Sequence, residues 1–351
     1  MAPEAFDLQQ HDLRMYDRAR RECAFRAGTV RGLRAWQGRL RARLGAALGL
    51  THMEKDLAGH RPRAERASSA DVGDYVRERW YLWVEPDVPL PLWVLLPKGD
   101  RSQRPLVVTP HGHTHPNAYV GLPRDHEEVA ANDPGRGGLA VDAVREGYVA
   151  IAPTVRGFGE TARAEDLAEG KNSSCRVQLM HDLLIGRTPI GERVWDVSRI
   201  VDWAPAQFAV DPERIAITGN SGGGTVALFA GAMDERIAVT VPSCSFSTFA
   251  GSIGSIVHCD CNYVPGILRL GEMYEVAGLI APRPFRALAG REDASFPVGE
   301  AEKAFEQLQH IYAVAGAAEN CQLYVGKDGH RYYGEGAWPF IRKWFRPTSP
   351  G

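Results

Sequence analysis

The chain has little of what would announce a cofactor or a charged partner. Six of its 351 residues are cysteine (Cys23, Cys175, Cys244, Cys259, Cys261 and Cys321), and no two form a Cys-x-x-Cys pair. Cys259-Asp260-Cys261 is tighter than the usual half of a zinc site. The thiols therefore read as buried side chains, with a disulfide among them the lesser reading. The formal net charge of -2 supplies no global field for nucleic acid or an anionic membrane. No apolar run approaches the roughly 18 residues of a membrane span. The start, Met1 to Asp7, has no basic patch followed by an apolar run. The expectation is a cytoplasmic protein. No internal repeat or low-complexity segment is visible.

What is present is an ordinary globular composition, 44% apolar and 24% charged, long enough for one large α/β domain with an appendage. Leu33, Trp36, Leu40, Leu44 and Leu48 recur at spacings of three and four, which predicts an amphipathic helix. Arg31, Arg34, Arg39, Arg41 and Arg43 fall mostly off that stripe and read as a solvated face. The polar stretch from His60 to Asp74 reads as a linker. Residues 1-72 are thus expected to be a helical segment and linker, and 73-351 the main domain. From Tyr75 the pattern turns to strands: Tyr75 to Val84, Pro91 to Leu96, Leu106 to Thr109, Val149 to Ala152, Arg214 to Thr218, Ile237 to Val241, Phe285 to Ala289 and Gln322 to Val325. Helical patterns fall between them at Gly137 to Glu146, Gly191 to Ala204, Gly223 to Met233 and Val298 to Val314. Alternation of this kind predicts a mostly parallel sheet with helices on both faces and an antiparallel edge made by the opening strands. Its chemistry belongs at the carboxyl ends of the strands.

Gly219-Asn220-Ser221-Gly222-Gly223 lies between one such strand and one such helix. A sharp strand-to-helix turn holds a serine in a strained conformation with its hydroxyl exposed. A phosphate loop would require a lysine that is missing here. A serine hydroxyl needs a base, and the base an orienting acid. In this architecture the order is serine, acid, histidine. His181 precedes the serine, His258 follows it too soon, and His310 sits in a helical pattern. His330, in the glycine-bearing loop after the last strand, is the expected base. Asp293, in the loop after Phe285 to Ala289, is the expected acid, with Glu292 and Asp328 as neighbours. The oxyanion donors are expected to be the amides of Gly222 and His113, the latter from Pro110-His111-Gly112-His113-Thr114. His111, His113 and His115 also alternate as metal ligands would. Gly112 and Pro116 argue for a turn there, and neither a carboxylate nor a cysteine completes a set in the sequence. Neither a metal nor an organic cofactor is expected.

These pieces resemble the α/β-hydrolases, and within them the bacterial acetyl xylan esterase and dienelactone-hydrolase-like serine esterases. The likeness runs from about residue 75 to 345. It is carried by His111-Gly112, Gly147 to Pro153, Arg156-Gly157-Phe158-Gly159, Trp195-Asp196, Asp211 to Ile215, Gly219 to Gly223, Ala281-Pro282-Arg283-Pro284, Asp293 and Gly329-His330. It implies a serine esterase with Ser221, Asp293 and His330 as its triad, acting through an acyl-enzyme on a small ester, with acetyl as the implied acyl group. Thr154 and Gly223-Gly224-Thr225 depart from the family's common aspartate and glutamine-containing elbow.

Segments 160-193 and 243-275 are expected to shape the pocket as insertions, with Phe158 and Phe246 against the acyl group. A prolyl-oligopeptidase-like peptidase and a carbon–carbon hydrolase share the triad. The usual β-propeller of such peptidases does not fit in a short helical N-terminal segment. A non-catalytic ligand receptor on the same scaffold is the rival of another class. No nucleic-acid or membrane partner is expected, and the N-terminal helices offer a surface for a homo-oligomer.

Overall fold

The computed structural model describes residues 6–99, 102–122 and 138–345. Gly137, the expected start of a helix, and residues 1–5 of the start lie outside the described residues. The strands are β1 (Ala64–Asp71), β2 (Tyr75–Glu85), β3 (Val88–Pro97), β4 (Arg104–Val108), β5 (Val149–Pro153), β6 (Val210–Asn220), β7 (Val239–Ser243), β8 (Phe285–Gly290) and β9 (Cys321–Gly326). They form one sheet in the order β1-β2-β3-β5-β4-β6-β7-β8-β9. The pairs from β1 through β3 to β5 are antiparallel, and those from β5 onward are parallel. This is the mixed α/β architecture read from the sequence. One difference lies at the edge: residues 64–71, read as linker, form β1, paired to β2 from Ala64↔Leu82 to Asp71↔Val76.

The helices are α1 (Leu8–Arg18), α2 (Val30–Leu48), α3 (Leu50–Asp56), α4 (Leu139–Arg145), α5 (Ala164–Ala168), α6 (Cys175–Leu184), α7 (Pro189–Gln207), α8 (Gly222–Met233), α9 (Ile267–Leu270), α10 (Met273–Gly278), α11 (Val298–Val314) and α12 (Gly334–Phe345). Successive strand residues alternate between two cores, as the pleat requires. Leu106, Val108, Ile215 and Ile217 join the core under α2, α7, α8, α10 and α11. Val107 and Ala216 join the core under α4 and α12. No helix among the described residues is long and apolar enough to cross a membrane.

The helix α2 begins at Thr29, whose hydroxyl accepts the Gly32 N–H, and ends at Gly49 with φ +85°. Its stripe is the one legible in the sequence: Leu40, Leu44 and Leu48 are fully buried, and Leu33 and Trp36 nearly so. Burying each leucine stabilises the fold by roughly 1.5–3 kcal/mol. Polar side chains fix the docking. Gln37 Nε2 donates to the carbonyls of Gly278 and Ala281 (3.0 and 2.7 Å), and Arg41 donates to those of Ala232 and Leu279 (3.2 and 3.1 Å).

Candidate active site

The parallel strands point their carboxyl ends to one rim, and β6 delivers Ser221 there. Ser221 has φ 57° and ψ −124°, a conformation that costs a residue with a Cβ of order 1–3 kcal/mol. Its N–H donates to the Ser243 carbonyl (2.9 Å), and its carbonyl accepts the Thr225 N–H (2.9 Å), the first turn of α8. The elbow is pressed backbone to backbone on the loop after β4. A Cβ at Gly223 would stand 2.0 Å from the Pro110 oxygen. One at Gly112 would stand 2.6 Å from the Asn220 oxygen and 3.1 Å from the Ser221 Cβ. Both positions therefore require glycine. Gly222 opens α8, so its N–H is among those a helix leaves unbonded. The Thr114 N–H is taken by the Gly112 carbonyl (2.8 Å).

Asp293 follows β8 and His330 follows β9. His330 Nδ1 lies 2.8 Å from Asp293 Oδ2. The other carboxylate oxygen accepts the N–H groups of Ser295 and Phe296 (2.8 and 3.0 Å). Burial alone would raise this carboxyl. The His330 hydrogen bond and the two backbone N–H groups outweigh it and hold Asp293 below the usual carboxylate range. An ionised Asp293 must accept, so Nδ1 carries the proton and Nε2 has a lone pair to offer. Asp328, a local rival for that role, instead holds Arg331 at 2.9 Å.

Several bonds fix the histidine loop to the sheet. The Arg331 carbonyl accepts from Ser243 Oγ (3.3 Å) and Cys244 Sγ (3.2 Å). Tyr332 OH meets Thr218 Oγ1 at 2.9 Å, and Tyr333 OH donates to the Gly329 carbonyl (2.7 Å). Cys244 also has a positive φ of 47°, and its sulfur lies within 4.8 Å of donor atoms of Asp293 and His330. Burial and the Asp293 charge push its thiol up to about 12, so it stays a protonated donor. Strand pairing closes the arrangement, because Asn220, next to Ser221, pairs with Ser243, next to Cys244.

The other expected site residues fall differently. Phe158 and Phe246 are 3% and 2% exposed. Phe158 packs edge-on against His111 and His113, and Phe246 against Phe285. Both are buried side chains packed on aromatic neighbours. His111 is buried, and burial pulls its pKa down to about 3. The expectation that no cysteine completes a ligand set around the loop histidines is corrected. His113, Cys175, Cys259 and Cys261 bring one nitrogen and three sulfurs within 4.8 Å of one another. His258, set aside as a base, packs against Phe296 (5.2 Å), whose ring stacks on His330. Burial brings His258 down to about 4, with His113 and His330 adding to the effect. Tight local spacing cannot reveal these neighbours, since they meet only when the loops fold over the rim.

A family model described as glucuronyl esterase of fungi matches residues 163–255, a stretch that contains Ser221. YtaP of Bacillus subtilis (strain 168), named as a hydrolase with no substrate given, is 30% identical over 187 residues, covering 52% of this chain and 60% of its own. The 4-O-methyl-glucuronoyl methylesterase of Phanerochaete carnosa is 37% identical over 117 residues, covering 26% of this chain and 29% of its own. The chain thus spans less than two thirds of either relative. A Bacteroides fragilis structure titled as an acetyl xylan esterase superposes with a TM-score of 0.79 at 18% identity, covering 97% of this chain and 96% of that one. The order of the nine strands, the strained elbow serine and the superposition on the Bacteroides structure give the chain the fold of the α/β-hydrolases.

Proposed function

We propose that the protein is a serine carboxylic-ester hydrolase acting on an ester of a carbohydrate. The observation that carries the reading is the 2.8 Å bond from His330 to Asp293 on the rim that presents Ser221 in its strained turn. Ser221 Oγ attacks the acyl carbonyl while His330 Nε2 takes its proton, and Asp293 holds the resulting imidazolium. The amides of Gly222 and His113 receive the oxyanion. The tetrahedral intermediate collapses, and His330 returns the proton to the departing alcohol. A water molecule, deprotonated by the same imidazole, then releases the acid from the serine.

An acetyl ester, with the sugar as alcohol, is the substrate form we favour. The Bacteroides structure titled as an acetyl xylan esterase supports it through fold alone. The match of residues 163–255 to glucuronyl esterases, and the likeness to the Phanerochaete methylesterase, support a second form in which a sugar acid is the acyl group and methanol leaves. Fluorophosphonate labelling should modify Ser221 and vanish in Ser221→Ala. Hydrolysis of p-nitrophenyl acetate, an acetylated xylo-oligosaccharide and a methyl glucuronate separates the two forms. A folded wild type that takes no label and cleaves none of the three would favour a ligand receptor.

A further inference from the structure

We propose that His113, Cys175, Cys259 and Cys261 form a zinc site that clamps together the three loops around the active site. The four residues come from three separate parts of the chain: the loop after β4, the first residue of α6, and the segment after β7. His113 Nε2 lies 3.7 Å from Cys261 Sγ and 3.9 Å from Cys175 Sγ, and the Cys261 and Cys259 sulfurs are 3.4 Å apart. All four donor atoms fall within 4.8 Å of one another. Zinc bound at about 2.3 Å to sulfur and about 2.0 Å to nitrogen gives tetrahedral edges of about 3.8 Å between sulfurs and about 3.5 Å between sulfur and nitrogen. The three separations of 3.4, 3.7 and 3.9 Å lie within about 0.4 Å of those edges. Three thiols and an imidazole are also a closed structural zinc set.

The surroundings fit the charge. Three thiolates and a divalent ion leave one negative charge, with three thiol protons released to solvent on binding. The Arg193 guanidinium, 3% exposed, sits beside the cluster with Nη2 3.8 Å from Cys175 Sγ. It is anchored by its 2.9 Å bond to the Arg156 carbonyl and lies over the Phe158 ring. Val155 and Phe158 close the apolar side around Cys175 and Cys261. Isolated buried cysteines, packing as small hydrophobes, have no reason to converge with an imidazole nitrogen on a common centre.

The site also fixes the orientation of His113. With Nε2 toward the sulfurs, the Cε1–Nδ1 edge of the ring lies 3.4 Å from where a Cβ on Gly222 would stand. A metal on Nε2 would hold the loop whose His113 amide faces the nucleophile, a consequence that rests on the esterase reading. The metal site itself does not rest on it.

Protein isolated under reducing conditions from zinc-supplemented culture should hold about one zinc per chain after desalting, by elemental analysis and native mass spectrometry. After chelator stripping, cobalt(II) should produce the near-ultraviolet thiolate charge-transfer band and the visible bands of a tetrahedral site. Cys259→Ser should lower metal occupancy about tenfold or more, while Cys321→Ser, a buried thiol outside the cluster, should keep it. Less than about a tenth of an equivalent in wild type, with no cobalt band, would overturn the proposal. So would a disulfide among Cys175, Cys259 and Cys261 in the fresh protein. None of these readouts uses substrate, so a failed metal site and a failed esterase reading are told apart.

Discussion

His111 Nε2 accepts the Val155 N–H at 2.9 Å, while Nδ1 donates to the Gly112 carbonyl at 2.8 Å. A buried neutral imidazole thus ties the loop that backs the elbow to the chain leaving β5. Its folded pKa of about 3 lies below the unfolded value of about 6.5. A base with a depressed folded pKa contributes stability that is fully present above about pH 6.5 and lost progressively as pH falls toward about 3. Denaturant unfolding across that window should show a steeper acid loss for wild type than for His111→Asn. Parallel slopes would mean that His111 is protonated in the fold.

Asp293→Asn should keep the fold and lose roughly 10³–10⁴-fold in kcat, because the amide would favour the wrong imidazole tautomer. Circular dichroism and steady-state kinetics on one ester check both halves. The same variant has a stability signature. The depressed Asp293 carboxyl contributes stability above about pH 4, lost as pH falls through its lower folded value, so the variant should lack this part of the acid transition.

Gly112→Ala should damage activity far more than secondary structure. The added methyl meets the Asn220 backbone carbonyl at 2.6 Å and the Ser221 Cβ, the first atom of the nucleophile's side chain, at 3.1 Å. A shift of about 1 Å in the elbow or the donor loop costs on the order of 10²-fold in rate. Fluorophosphonate labelling rates for wild type and variant report that loss directly.

Arg156 is held by Asp196 through Nε and Nη2 (2.9 and 2.6 Å) and by Glu85 through Nη1 (2.6 Å), all buried. Arg187 reaches the second oxygen of Glu85 at 3.0 Å. Arg156→Met should destabilise by about 3–5 kcal/mol, since it leaves three buried carboxylates, Asp196, Glu85 and Glu192, short of their cation. Chemical denaturation measures the cost. A change within about 0.5 kcal/mol would show that Arg187 and solvent suffice.

Much of this architecture was legible because short apolar runs and caps are local. The eight strands from Tyr75 onward and the α2 stripe rest on such signals. The strand β1 was hidden because seven of its eight residues are exposed, so it lacks alternation and is held by pairing alone. The helix α12 was hidden by Gly334, Gly336 and Pro339, which contradict helical propensity, although Gly336 fits closely under Tyr324 and Leu288. Asp293 and His330 could be picked out because each follows a legible strand. The sulfurs around His113 could not, because Cys175 and Cys261 lie far apart in the chain and the spacing of Cys259 and Cys261 matches no common half-site.

The placement of α2 has a further consequence for assembly. Its leucines are already seated against the sheet's helical layer, and Gln37 and Arg41 latch it to carbonyls there. That seam is spent within one molecule and cannot also face a second copy. A dimer through the N-terminal helices would have to use their exposed faces, and trimming the first fifty residues would uncover a greasy trench rather than free an ornament.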